Sequence, residues 1–270
     1  TISMDLLTNV PELNTGTVLK FNREGNQLFY QGQAVSMLPT VMQQPEYDGI
    51  VTEVQSLHAV VSVARFADLH RHSDNSLLDG ICKVKDMARL SVPQGALTDH
   101  GVLYGFLEFY KEMRKAGKKP IIGCEVYVEN LSHELSRDHL ILLAENDEGY
   151  HTLLKIVSNA YTHMKGGRPH ILLQELRENH DGLIATSACI AGTIAKHIRA
   201  GQMDQAETAL QTYLDIFGAS NFYLEIQRHG IADEKMVEMT YRRWAKEKGL
   251  KVIATTDSHY ASREDKQAHE

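Results

Sequence analysis

The chain of 270 residues has few cysteines and no long apolar run. Its three cysteines (Cys82, Cys124 and Cys189) form an odd, sparse set, which is unlike a disulfide framework and typical of a reducing cytoplasm. No stretch approaches the roughly 18 consecutive apolar residues of a membrane span. The polar beginning of the chain lacks the apolar centre of a secretion signal. We therefore expect a cytoplasmic protein without a membrane segment.

The chain also has no excess of positive charge. Its 28 lysines and arginines are outnumbered by 35 aspartates and glutamates, which gives a net charge of −7. Non-specific binding to nucleic acid depends on clustered lysine and arginine, so a general nucleic-acid surface is not expected. Bound divalent cations would reverse the sign of the charge locally, so the composition is compatible with a substrate that carries phosphate.

Two common catalytic motifs are absent, whereas histidine is abundant. The sequence contains neither a Gly-x-x-x-x-Gly-Lys-Ser/Thr phosphate loop nor a Gly-x-Ser-x-Gly nucleophile elbow. Of the 14 histidines, two fall where Asp68, His70 and His72 alternate as on one face of a strand, and Asp79 follows. By itself this segment is equally compatible with a first-row metal site and with two surface histidines on an edge strand.

The hydrophobic pattern predicts two regions. In residues 1–64, Thr17 to Phe21 and Gln27 to Gln31 predict a hairpin within a small β-rich appendage. From residue 65 to 270, strands alternate with amphipathic helices. This alternation predicts an α/β fold with a mostly parallel sheet, either curled into a barrel or left open. The predicted strands are 63–70, 95–98, 121–128, 139–144, 182–186, 221–226 and 251–255.

Polar residues recur at the carboxyl ends of these strands, where folds of this kind carry their chemistry. Glu125 differs, because it lies inside an apolar run where an unpaired carboxylate would be costly. His139 precedes its strand, so it lies at the opposite end unless that strand runs antiparallel. The candidate metal ligands are five histidines, three carboxylates and one cysteine: His70, His72, Asp79, His100, Glu125, His139, Cys189, Asp257 and His259.

This set is too large for one tetrahedral ion and too mixed for a closed structural zinc site. It suits two or three divalent ions, which are zinc, manganese or iron, with Glu125 as the bridging carboxylate. Such a centre predicts hydrolysis of a phosphate ester by a water that the metals activate. The predicted catalytic residues are Glu125, His70, Asp257 and Asp99. The predicted substrate contacts are His229, Arg228 and Arg168, and His229 is equally compatible with a structural hydrogen bond.

The motifs around these residues resemble the PHP (polymerase and histidinol phosphatase) superfamily, and among its members the PHP domains of bacterial DNA polymerase III α subunits. The resemblance covers roughly residues 64 to 270. It implies a distorted seven-stranded (β/α) barrel with a trinuclear metal site in which all nine ligand positions are filled. The matching segments are Asp68 to Ser73 with Asp79-Gly80, Leu97 to Gly101, Lys119 to Glu125, His139 to Ala144 with Gly149-Tyr150, Ser187 to Gly192, Glu225 to Gly230 and Ala254 to Tyr260.

The resemblance also implies a function. In metal-competent polymerase relatives this domain is associated with 3′–5′ exonuclease proofreading, and in stand-alone relatives with phosphomonoester hydrolysis. We therefore expect a PHP domain within a longer polymerase of bacterial or phage type, with the rest of the polymerase chain as its partner and a DNA 3′ end as its substrate. Two alternatives stay open: a phosphatase or pyrophosphatase for small esters, and a metal-stabilised scaffold without catalysis, which the complete ligand set disfavours.

Overall fold

The computed structural model describes residues 66–77, 79–91, 93–129 and 138–269, together with four short strands near the start of the chain. The chain divides into two compact units, Thr1–Phe66 and Ala67–Glu270. The described strands of the first unit pair antiparallel in the order β1-β4-β3-β2. They are β1 (Leu7–Thr8), β2 (Phe21–Glu24), β3 (Gln27–Tyr30) and β4 (Gln33–Met37).

The predicted hairpin of the first unit is present, and its described first strand extends beyond Phe21. Phe21 pairs with Tyr30 and Glu24 pairs with Gln27. Of the strand predicted over 17–21, only Phe21 is described, because residues 17–20 lie outside the described part of the chain. Only residues 25 and 26 separate the two strands, where the pattern had placed a five-residue loop. A two-residue connection is the commonest in hairpins, because its twist matches that of the strands.

The second unit is built on a curled sheet whose path runs β12-β11-β10-β7-β6-β9-β8, with β5 paired to the first half of β6. β5 and β9 run parallel to β6, and β10, β11 and β12 run parallel to one another. Its strands are β5 (Gln94–Leu97), β6 (Lys119–Val128), β7 (Asp138–Ala144), β8 (Met164–Lys165), β9 (Arg168–Ile171), β10 (Leu183–Thr186), β11 (Phe222–Ile226) and β12 (Lys251–Ala254).

Two strands of this sheet are reversed relative to their neighbours, and one of them is the two-residue β8, which runs antiparallel to β9. β7 runs antiparallel to both of its neighbours, β6 and β10. Tyr127, near the end of β6, therefore pairs with His139, near the start of β7. The reversal brings His139 to the edge of the sheet where the neighbouring strands end. His139 thus lies at the edge that carries the other polar residues, although it precedes its strand.

The strand predicted over 63–70 is wrong as a regular strand. Residues 66–70 lack a strand pattern, and Arg71 forms only an isolated parallel bridge with Ser258. Residues 63–65 lie outside the described part of the chain. The segment nevertheless fills the gap between β5 and the residues that follow β12, because Ala96 N donates to Asp68 O at 2.9 Å and His72 N donates to Ser258 O at 2.9 Å. This segment therefore takes the place of a seventh strand in the barrel.

Arg71 explains why this segment is irregular. Its backbone N–H donates to the hydroxyl of Thr98 at 2.9 Å instead of to a backbone carbonyl. Its guanidinium is buried and donates to Ala96 O and to the Ser91 hydroxyl, both at 2.9 Å. Hydrogen bonds that involve side chains thus replace part of a strand ladder and satisfy the backbone N–H and the guanidinium of Arg71.

Helices connect the strands and cover the outer face of the sheet. They are α1 (Val84–Leu90), α2 (Phe106–Lys115), α3 (Asp147–Ala160), α4 (Leu173–Glu178), α5 (Thr193–Arg199), α6 (Met203–Asn221), α7 (Ala232–Lys248) and α8 (Lys266–His269). α6 is interrupted at Gly218, whose φ of 74° belongs to the left-handed region that glycine adopts readily. Among the described residues, no helix combines the length and the apolar character needed to cross a membrane.

The alternation of side chains along β6 and β7 fixes which residues face the inside of the barrel. Cys124 and Val126 belong to the large apolar core that also contains side chains of α3, α5, α6 and α7. In β7, Leu140 and Leu142 belong to the same core. Since successive side chains of a strand point to opposite faces, Glu125 faces the barrel interior. The hydrophobic pattern of β6 therefore positions the one carboxylate within it.

We expect Gly149→Ala to destabilise the second unit. A Cβ atom at Gly149, in the first turn of α3, would lie 1.8 Å from the carbonyl oxygen of Gly182. Relief of such overpacking requires a backbone shift, and we expect the free energy of unfolding to fall by about 1–3 kcal/mol or more. Denaturant unfolding measures the change. Asn159→Ala, an exposed position on the same helix, is the matched control. A Gly149→Ala protein as stable as the wild type would contradict the close approach of these two backbones.

Candidate metal centre

Glu125 lies at the middle of the candidate site and is completely buried. Its Oε2 lies 3.1 Å from His70 Nε2, 3.0 Å from His72 Nε2 and 3.1 Å from His100 Nδ1. Its Oε1 lies 2.5 Å from His139 Nδ1. Four imidazoles from three separate segments of the chain therefore surround one carboxylate. The structure brings together residues that are far apart in sequence around the side chain expected to bridge two ions.

Asp257 completes one group of ligand atoms. Its Oδ1 lies 3.1 Å from His70 Nε2 and 3.2 Å from His72 Nε2. Together with Glu125, these residues offer four ligand atoms within 4.8 Å of one another. Asp257 has a left-handed φ of 46°, which is uncommon outside glycine. Strained backbone of this kind is frequent at functional sites, where the surrounding structure holds it in place.

Two further groups adjoin the first. His100, Glu125 and His139 form one, and His72, His100 and His259 form the other, each with its ligand atoms within 4.8 Å. The rings of His100 and His259 both stack on that of His72, with centroids 4.2 Å away. Glu125 is shared by two of the three groups, as a bridging ligand must be.

Asp79 lies at the outer side of these groups. Its Oδ2 is 2.7 Å from His100 Nε2 and 3.4 Å from His259 Nε2. His72 and His100 each belong to two of the three groups, and Asp79 contacts the group of His72, His100 and His259 through two of its rings.

The donor atoms fit metal ions better than they fit one another. In the described part of the chain, six buried side-chain polar atoms have no hydrogen-bond partner, and four of them lie in this cluster. They are close to opposite charges but not aligned as donors and acceptors. Orphaned buried polar atoms are rare in folded proteins, and an unrecorded ion is a common explanation. The four atoms are His72 Nε2, His100 Nδ1, Glu125 Oε1 and Asp257 Oδ1.

The electrostatics of the cluster also favour a bound metal ion. Burial opposes a charge on His70, but the neighbouring carboxylates, Asp257 foremost, raise its pKa well above the usual value. Burial likewise opposes a charge on His72, whose pKa the carboxylates of Asp257 and Glu125 raise to about 9. Burial disfavours the Glu125 carboxylate, yet the imidazoles, His139 first, lower the pKa of Glu125 well below its usual value. Without metal the cluster holds protons, with which a divalent cation would compete.

Glu225, which the sequence analysis did not select, orients one of these ligands. It lies inside β11 and is almost completely buried. His70 Nδ1 donates to Glu225 Oε1 at 2.7 Å, which turns His70 Nε2 toward Glu125. The hydroxyl of Thr255 and the amide of Gln227 also donate to Oε1, at 2.5 Å and 2.9 Å. A carboxylate behind a ligand histidine fixes the tautomer and increases the basicity of the ring.

The structure places Asp99, predicted to be catalytic, behind the cluster. Its carboxylate accepts hydrogen bonds from Ser73 N at 2.6 Å, from the Ser73 hydroxyl at 2.8 Å and from the Ser76 hydroxyl at 3.0 Å. Ser76 Oγ in turn lies 3.0 Å from His72 Nδ1. Asp99 therefore acts through Ser76 on the orientation of His72 and belongs to none of the three ligand groups.

Cys189 lies at the margin of the cluster. Its sulfur is 3.7 Å from His139 Nδ1, and it belongs to none of the three ligand groups. Burial, followed by the charge of Glu125, raises the pKa of the thiol well above its usual value. A thiolate at this position would require the positive charge of a bound ion.

The three predicted substrate contacts differ in their surroundings. Arg168 lies near the centre, hydrogen-bonded through its guanidinium to the hydroxyl of Tyr127 and 5.0 Å from the centroid of that ring. Arg228 is exposed and paired with Glu238 at 2.7 Å. Both ring nitrogens of His229 are occupied: Nδ1 donates to Glu234 Oε1 at 2.5 Å and Nε2 donates to Thr256 O at 2.7 Å.

We expect Glu225→Gln to weaken metal binding without unfolding the protein. The variant keeps the shape of the side chain but removes the charge that orients His70, so we expect the affinity for zinc or manganese to fall by about 10–100-fold. Isothermal titration calorimetry on the apoprotein measures the change. Glu247→Gln, an exposed position on α7, is the matched control and leaves the affinity unchanged. Equal metal affinity in both variants would contradict the orienting role of Glu225.

Comparison with known proteins places the chain in a family. Residues 68–229 match the family described as the PHP domain. The DNA polymerase III α subunit of Borreliella burgdorferi is 42% identical over 219 residues, which are 77% of this chain and 19% of that protein. The α subunit of Thermus aquaticus is 40% identical over 224 residues, 77% of this chain and 18% of that protein. The chain thus spans about a fifth of the length of these curated relatives. The resemblance of the motifs is confirmed, and the chain belongs to the PHP domain family.

Proposed function

We propose that this chain is the metal-dependent phosphoesterase domain of a DNA polymerase III α subunit and that it removes nucleotides from a DNA 3′ end. The observation that carries the proposal is the position of Glu125, whose two carboxylate oxygens face different imidazoles within two ligand groups. Two ions bridged by one carboxylate are a recurrent arrangement in enzymes that cleave phosphate esters. The identity of 42% with a polymerase α subunit supports the choice of a nucleic-acid substrate.

The nine ligand residues named from the sequence would hold two to three ions of zinc, manganese or iron. Such ions supply Lewis-acid stabilisation of the phosphate oxygens and a water activated for attack on phosphorus. Asp257 is the ligand side chain of the first group that reaches solvent, with 17% of its side chain exposed. His70 and Glu125 are buried and lie on the side of the centre that is away from solvent. A substrate therefore approaches from the side of Asp257.

Arg168 is the substrate contact that the geometry favours. Its guanidinium lies beside Tyr127, and the ring of Tyr127 stacks at 5.9 Å on that of His100. A planar guanidinium suits the bidentate recognition of phosphate. Arg228 and His229 are engaged with carboxylates, so we assign them to the support of the loop between β11 and α7.

The longer chain of the relatives suggests how this domain is used. We propose that residues 65–270 form the phosphoesterase domain, that residues 1–64 form a β-rich appendage, and that both belong to a longer, cytoplasmic polymerase. The net charge of −7 offers little basic surface for a DNA backbone. The rest of the polymerase chain would therefore be the partner that delivers the primer end.

The same charge favours a second candidate function, the hydrolysis of phosphomonoesters. A terminal phosphate needs less basic surface than a strand of DNA, so a small ester competes well at this site. The two functions are distinguished by the products from a 5′-labelled single strand, which are a ladder of single-nucleotide steps for an exonuclease and an intact strand for a phosphatase.

We expect Glu125→Ala to abolish degradation of a 5′-labelled single strand in the presence of manganese. Loss of a group that merely orients a ligand costs about 10–100-fold, so loss of the bridging ligand should lower the rate by at least about 100-fold. Gel electrophoresis of the labelled products measures the rate, and circular dichroism checks the fold.

Glu145→Ala, at an exposed position just after β7, is the matched control and retains the wild-type rate. A folded Glu125→Ala protein with the wild-type rate would refute the bridging role. A wild type that releases phosphate from small esters but leaves every strand intact would favour the second candidate.

A further inference from the structure

A cleft of about 230 Å³ lies beside the metal centre. One wall is the loop that follows His100 together with the start of α2, and the other is the last part of α3. α3 follows the reversed strand β7, so its C-terminal end returns to the edge of the sheet that carries the metal ligands. The reversal of β7 therefore places this cleft next to the centre.

Hydrogen bonds connect the cleft, through Gly101, to the strand that carries one of the metal ligands. The hydroxyl of Tyr161, at the end of α3, donates to the carbonyl oxygen of Gly101 at 3.2 Å. Gly101 follows His100 in the chain, and its N–H donates to the carbonyl oxygen of Glu125 at 2.8 Å. Gly101 thus contacts both a wall of the cleft and the strand that carries the bridging carboxylate. The loop that forms the cleft thus begins one residue after the metal ligand His100 and is hydrogen-bonded to the strand of Glu125.

The cleft combines flat aromatic rings with an apolar floor. The side chains of Tyr104 and Tyr161 are exposed, at 66% and 43% of their surface. Leu103 and Val157 line the cleft between them, and Phe106 lies at one end. Exposed aromatic rings of this kind are suited to stacking with a planar ligand.

A cation lies near the loop that forms the cleft. The Arg168 guanidinium is 5.0 Å from the centroid of the Tyr127 ring. A Cβ atom at Gly101 would lie 3.0 Å from Pro169 and 3.6 Å from Tyr127, so the residue that follows Arg168 packs directly on this loop. The metal ligands, the arginine and the aromatic cleft are therefore linked through Gly101 and Tyr127. A ligand with a phosphate at one end and a planar ring at the other matches these three features.

We propose that the cleft is a base-binding subsite, which holds the nucleobase of the nucleotide whose phosphate lies at the metal centre. The proposal rests on the phosphoesterase function proposed above and adds a nucleotide specificity to it. The volume of about 230 Å³ is smaller than the roughly 300–1,000 Å³ of pockets for drug-sized ligands, so it accommodates one base. Stacking on tyrosine tolerates any base, because every base has a π-face.

The first experiment measures binding without turnover. The apoprotein of 270 residues is loaded with zinc, and the affinities for deoxyadenosine 5′-monophosphate and for inorganic phosphate are determined by ligand-detected NMR. We expect the nucleotide to bind more tightly than phosphate. Tyr104→Ala and Tyr161→Ala should each weaken nucleotide binding by about tenfold, the effect of losing one base-stacking side chain, and leave phosphate binding unchanged.

Two variants serve as controls. Tyr104→Phe keeps the ring and should retain nucleotide affinity. Tyr110→Ala removes a tyrosine of α2 that is 47% exposed and lies outside the cleft, and it should change neither affinity. Equal nucleotide affinity in the wild type and in both cleft alanine variants would overturn the proposal. A cleft that binds a protein segment and no nucleotide would also overturn it.

A second experiment separates the cleft from the proposed function. It compares degradation of a single strand that ends in a normal nucleotide with one that ends in an abasic residue. We expect the wild type to prefer the normal end and Tyr104→Ala to lose the preference. If the rate of degradation does not depend on the terminal base, the base-binding role of the cleft is refuted and the exonuclease function is retained. If nucleotides bind through Tyr104 but no ester is hydrolysed, the base-binding role is retained and the proposed function is refuted.

Discussion

The contact between the buried carboxylate of Glu125 and the imidazoles around it is the constraint on which the rest of this structure depends. An ionised carboxylate that is completely buried carries a large desolvation penalty unless opposite charge surrounds it. His70 and His72, whose pKa values the neighbouring carboxylates raise, supply part of that charge, and bound cations held by the surrounding imidazoles would supply the rest. The four imidazole rings around Glu125 come from three separate segments of the barrel, so the fold and the centre require one another.

Two departures from a regular parallel barrel make this arrangement possible. The antiparallel β7 turns His139 to the edge where its neighbours end and returns α3 to the same edge. The irregular segment around Arg71 brings His70 and His72 between β5 and the end of β12 without completing a strand ladder. Both departures serve the centre. A barrel of eight parallel strands would place the start of β7 at the far end, away from Glu125.

Seven of the nine predicted ligands lie in the three ligand groups, and they were selected because they stand at strand ends or interrupt an apolar run, whereas Asp79 and Cys189 belong to none of these groups. The strand predicted over 63–70 was wrong, since alternation along a segment does not reveal that Thr98 and Ala96 take the place of strand partners for Arg71. Asp99 was selected because it follows a predicted strand, and its hydrogen bonds to Ser73 and Ser76, which the sequence does not reveal, connect it to His72 through Ser76.

Other features were beyond a linear pattern. Glu225 carries the same signal as Glu125, an acidic residue inside an apolar strand, and that signal would have identified it. The cleft was not predictable, because Tyr104 and Tyr161 meet only through the reversal of β7. Local periodicity specifies which face of an element is buried, whereas contacts between distant segments depend on topology.

The most direct test of the bridging role is an anomalous difference map from crystals soaked in manganese or zinc. We expect two strong peaks, one on each side of the Glu125 carboxylate. One should lie against His70, His72 and Asp257, and the other against His100 and His139. A single peak bound by other residues, or no peak at Glu125 in a crystal of the folded protein, would contradict the account.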